Sequence, residues 1–98
     1  MSEKEILAEK IRALITRNYA RDLFDLWFLL NKKAEIDLKL INKKLSYYIK
    51  SFSKGEFVKA INLKKDIWKP ELNPFIIGEL PKFAEAKKLV LEKFKKFK

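Results

Sequence analysis

Apolar residues recur every three or four positions along most of this chain, the spacing of helices that each turn one face toward a core. In the first helix, predicted from residue 2 or 3 to 16, Ile6, Leu7, Ile11, Leu14 and Ile15 share one half of the helical wheel. Glu5, Glu9 and Arg12 lie opposite. Ser2 followed by Glu5 has the spacing of a capping box. Lys10 is the exception: it falls on the apolar half, near the line of Arg17. Arg17-Asn18 breaks the pattern, and Asn18 is a fair N-cap for a second helix over 19–31. That helix is apolar nearly all round, as expected at the centre of a bundle. Its exceptions are Arg21, Asp22 and Asp25, with Asp22 lying between Leu26 and Leu29 on the wheel.

A third helix is predicted over 37–52, with Leu38, Ile41, Leu45, Tyr48, Ile49 and Phe52 at helical spacing. Ser53-Lys54-Gly55 reads as a turn. A fourth helix over 56–69 carries Phe57, Val58, Ile61, Ile67 and Trp68 and is expected to stop at Pro70, which has no N–H to donate. Pro74 and Gly78 mark an irregular connection. Pro81 suits the first position of a last helix through Phe97. The expected fold is all-α, a compact bundle of about five helices in one domain, 1–98. Residues 1–32 form a helical pair, and 33–98 a basic helical part.

Composition supports that reading. Apolar and aromatic residues make up 48% of the chain, enough for a packed core. Two glycines and three prolines are too few for the frequent turns of an all-β domain. There is no cysteine or histidine, which removes disulfides, thiolate metal sites and every Ser-His or Cys-His nucleophile pair. A metal would have to be held by carboxylates alone, and no such site is predicted. The N-terminus MSEKEILAEK lacks the pattern of a secretory signal, and no apolar run approaches the roughly 18 residues of a membrane span. The expectation is a cytoplasmic protein with no membrane partner. Abundant Lys, Ile and Glu, without Gln, Cys or His, fits a thermophile.

The net charge of +10 is unevenly placed. Residues 1–37 hold seven basic and seven acidic groups, whereas 38–98 hold sixteen lysines against six acids. Lysine is a point charge without the fork that reads bases, so Lys39, Lys43, Lys44 and Lys50 are candidates for non-specific attraction to a nucleic acid. Tyr47, Tyr48, Phe52 and Trp68 are possible stacking groups among them. A solvated surface and core packing are the plainer readings of these two sets.

One constellation stands above this background: Lys10, then Arg17, then Arg21-Asp22 and Asp25. Two helices joined by a short connection are antiparallel neighbours, an arrangement able to bring Lys10 and Asp22 together. The result is either a structural salt bridge or a cation aimed at a phosphate with a carboxylate to position it.

The stretch Glu5 to Leu30, EILAEKIRALITRNYARDLFDLWFLL, resembles the third and fourth motifs of the abortive-infection AbiEii/AbiGii-type nucleotidyltransferase toxins of type IV systems. Those motifs read approximately E-(I/L)-L-A-x-K-(L/I)-x-A-L and R-x-x-x-R-D-L-(Y/F)-D-L. The resemblance implies that Lys10 and Asp22 are catalytic and that Arg17, Arg21 and Asp25 bind substrate. It also implies a partner half with a Gly-Gly-(Ser/Thr) loop and a metal-binding Asp-x-Asp, neither of which occurs in these 98 residues. The expected function is therefore that of a detached or truncated C-terminal helical domain, inactive alone. It would contribute nucleotide- and tRNA-binding residues to a composite site. No cofactor is expected for it alone; Mg2+ and an NTP enter only with the catalytic half. The alternative is a stand-alone basic nucleic-acid-binding or adaptor protein.

Overall fold

The first helix, α1 (Glu3–Thr16), begins where the spacing predicts because the Ser2 hydroxyl accepts from the Glu5 amide at 3.3 Å. The computed structural model describes residues 2–48, 50–76 and 78–95, and among them all regular structure is helical. The second helix, α2 (Ala20–Asn31), also follows the predicted pattern, but Asn18 does not cap it. Tyr19 takes the cap position without a side-chain bond, and the missing acceptor comes from Glu71, whose Oε1 lies 2.9 Å from the Ala20 amide. Phe28 departs from the all-round apolar burial of α2, lying exposed under the Lys32 ammonium.

The third helix, α3 (Leu38–Ser46), is six residues shorter at its C-terminal end than predicted. Its start is set by Asp37, whose carboxylate accepts from the Lys39 and Leu40 amides. Its end is set by Asn42, whose side-chain oxygen takes the Phe52 amide at 2.6 Å and folds the following segment back. Ile49, assigned to this helix by spacing, lies outside the described residues.

The predicted fourth helix is two. Ser53 caps α4 (Lys54–Asn62), so Lys54 and Gly55 form its first turn and not a loop. A run of turns over 63–67 precedes α5 (Trp68–Leu72). Pro70 sits inside α5 and does not stop it, because it occupies the first turn, where an amide has no helical acceptor to reach. The last helix, α6 (Phe83–Lys93), starts two residues beyond Pro81. The Pro81 carbonyl instead accepts the Trp68 indole N–H at 2.8 Å. Phe97, its predicted end, lies outside the described residues.

The pair α1–α2 forms the centre, with α3 and α4 against α1 and α5 and α6 against α2. The radius of gyration, 12.8 Å, equals the roughly 13 Å of a globular chain of this length. Phe57 of α4 anchors one end of the core, 4.7 Å from the Phe94 ring and 5.5 Å from the Phe52 ring. Trp68 anchors the other between Phe24 and Phe83.

Glu9 ties α3 to α1, bonding Arg12 on its own helix and the Lys44 ammonium at 3.4 Å. Burial alone would raise the Glu9 carboxyl, but Arg12 and Lys44 hold it below the ordinary 4.5. A depressed carboxyl contributes stability above its unfolded pKa and loses it as pH falls through the folded value. The native chain should therefore be more stable than Glu9→Gln at about pH 6, and the difference should shrink in thermal melts as pH falls below 4.5. A difference independent of pH would contradict this.

Candidate functional site

Where the α1–α2 corner meets α5 and the segment after it, the surface opens into a cleft of about 730 Å³. Its charged lining is Lys10, Arg17, Arg21, Asp22, Asp25 and Glu71. Its apolar wall includes Phe24, Leu72, Phe75 and Ile76, with Tyr19 at the corner. All five residues of the sequence constellation thus share one opening.

Their pairing differs from the expected one. Asp22 is only 1% exposed and receives both edges of the Arg17 fork, Nε–Oδ2 at 2.9 Å and Nη2–Oδ1 at 3.0 Å. That bond to Asp22 raises the guanidinium pKa further, so Arg17 remains charged. Lys10 bonds not Asp22 but Asp25, with Nζ–Oδ2 at 2.8 Å. Helical rise explains the exchange. Lys10 lies eight residues before the corner at Asn18, or about 12 Å of α-helix. Asp25, seven residues after it, lies at nearly the same level, whereas Asp22 lies only about 6 Å along. Arg21 is 74% exposed in its side chain and reaches Asp25 at 3.8 Å, a loose contact at the rim.

The lysines singled out on α3 lie elsewhere. None of Lys39, Lys43, Lys44 and Lys50 lines the cleft. Lys44 is engaged by Glu9 and Lys50 by Glu56 at 3.8 Å, while Lys39 and Lys43 are exposed. Of the proposed stacking groups, Trp68 is core and Phe52 packs against Phe57 and Phe94, so neither presents a face to a base. Tyr47 and Tyr48 remain exposed.

Two charged residues at this corner were not singled out by pattern. Lys64 is 1% exposed, and its ammonium donates to the Leu14 and Ala60 carbonyls at 3.0 Å each and to the Arg17 carbonyl at 3.4 Å. Burial lowers its pKa, opposed by the charges of Asp22 and Glu71. A signal was available, since Lys64 interrupts the stripe Phe57, Ile61, Trp68 at helical spacing. Glu71, beyond a proline, carried none.

The family profile described as nucleotidyl transferase AbiEii toxin, type IV TA system, matches residues 1–96. The chain belongs to the AbiEii toxin family. No curated protein and no solved structure matches it. The AbiEii match takes in the basic half as well as the motif-bearing pair, so α3 to α6 belong to the family's own architecture and are not an unrelated appendage. Membership places the chain among toxins related to nucleotidyl transferases, in systems that pair a toxin with an antitoxin. Among the described residues no helix is long and apolar enough to cross a membrane.

Proposed function

We propose that this chain is the helical arm of a composite nucleotidyltransferase site, closing over a nucleotide held by a second, metal-binding half. The observation that carries this reading is the convergence of Lys10, Arg17, Arg21, Asp22 and Asp25 on one cleft. Lys10 is the group best suited to the transferred phosphate. Its ammonium is held by Asp25 yet remains partly open to water, so phosphate oxygens can replace or share that partner. Asp22 has both oxygens engaged by Arg17, so its role is to orient that guanidinium. Arg21, loosely held at the rim, supplies a further cation to the substrate.

The cleft's own donors do not suit a divalent cation. Asp22 and Asp25 are each bound to a cation of the chain, and no three acidic groups converge among the described residues. The Mg2+ and the bulk of the NTP contacts therefore fall to the second half, where a paired-aspartate site would neutralise developing charge. Mixing this chain with a separately produced half bearing a Gly-Gly-Ser loop and an Asp-x-Asp should restore NTP-dependent labelling of RNA. No gain over that half alone would end this reading.

A second reading, a stand-alone nucleic-acid binder, is favoured by the exposure of Tyr47 (80%) beside the exposed Lys43 at the end of α3. It does not use the cleft.

A further inference from the structure

The geometry points to Lys64 and Glu71 as positioning residues that set the Arg17–Asp22 bridge of the cleft from the far half of the chain. A helix end leaves carbonyls without partners and carries partial negative charge, and α1 has no basic residue in its last turn. Lys64, fifty residues away in sequence, supplies the cation. The Leu14, Arg17 and Ala60 carbonyls take the three protons an ammonium offers. At the other side of the corner, α2 begins at Ala20 with no side-chain cap of its own, and Glu71 supplies the acceptor. So the end of α1 and the start of α2 are each held by a charged side chain from beyond α3.

Between these two anchors sits the bridge. Arg17 is the residue that ends α1, with its own carbonyl among the Lys64 acceptors. Asp22 follows Ala20 by two residues and is buried against the corner. A side chain reaches its partner only as well as its backbone is placed, and here both backbones are placed by Lys64 and Glu71. Neither residue needs to touch a substrate. Glu71 lines the cleft, but its Oε1 is committed to the Ala20 amide.

The test reads the Arg17 Nε–H directly, by hydrogen exchange in nitrogen-15 spectra of the whole chain, so it does not depend on any nucleotide. In Glu71→Ala and in Lys64→Met, exchange at Arg17 Nε should rise about tenfold, as expected for loss of a helix-end partner, while core amides such as that of Val90 keep their protection. Glu71→Gln retains the acceptor and should restore the native rate. An unchanged Arg17 rate in both variants would overturn the assignment. So would a rise matched by the core amides, which reports general loosening and not positioning. Should Lys64→Met fail to fold, the contrast between Glu71→Ala and Glu71→Gln decides alone. A second readout rests on the composite-site reading. If Glu71 acts through the bridge, Glu71→Ala should lower labelling by the reconstituted pair in the native background but add nothing to Asp22→Asn. Absence of any labelling would count against the composite site, while the exchange result would still decide the positioning role.

Discussion

Substitution of Lys10 by methionine is expected to lower NTP-dependent labelling by the reconstituted pair by about a hundredfold or more, with little change in melting temperature. The size follows from removing a cation aimed at charge that develops in the transition state, where one donor is commonly worth two to three orders of magnitude in rate, roughly 3–4 kcal/mol. The stability cost is small because Lys10 and Asp25 form a partly exposed pair, and such pairs contribute at most about 1 kcal/mol. Methionine keeps an unbranched apolar side chain in place of the Lys10 stem while removing the charge. The same variant separates the two functional readings. An RNA affinity that depends on the lysines of α3 should be untouched, since Lys10 lies in a cleft those lysines do not line. Labelling that survives the substitution, or that falls only as far as the fold melts, would remove Lys10 from the chemistry.

The largest effect on stability is expected for Phe57→Ala. Phe57 is fully buried, and its ring meets Phe94 and Phe52, which brings the end of α6 and the segment after α3 onto α4. Truncation removes the apolar area and leaves a void that three separate segments cannot close together. Such changes cost about 3–5 kcal/mol. A domain of this size has roughly 5–15 kcal/mol in all, so the melting temperature should fall by on the order of 15–30 °C. Phe75→Ala makes the contrast, because Phe75 is 74% exposed on the cleft wall and its loss should shift stability by no more than about 0.5 kcal/mol. Equal melting temperatures for the two variants would mean that the aromatic cluster around Phe57 does not hold the fold.

Much of this was legible before any coordinates. Ser2 and Glu5 located the start of α1, and the nearly all-round apolar character of α2 put it at the centre, where Leu23, Leu26 and Leu30 are buried although Phe28 is not. Asp22, placed between Leu26 and Leu29 on the wheel, is buried as that position requires. Errors gathered at helix ends. Asn18 has the right chemistry for a cap, yet the chain gives that task to Glu71, fifty-one residues from its partner. The third helix was extended through Phe52 because the spacing continues, while Asn42 withdraws the Phe52 amide from the helical ladder. Pro70 was read as a stop, although the turns over 63–67 had already ended α4 and made that proline part of a new first turn.

By itself the sequence determined an all-helical bundle with α2 at its centre, and it singled out five charged residues on the α1–α2 pair without fixing how they meet. Periodicity and short connections carry this information, because a helix buries one stripe and a brief corner forces two stripes together. Tertiary structure alone decided which carboxylate Lys10 meets, what caps the two helix ends at the corner, and that a lysine can sit in the core there. The last two depend on hydrogen bonds between segments about fifty residues apart, and such bonds leave no repeating trace along the chain.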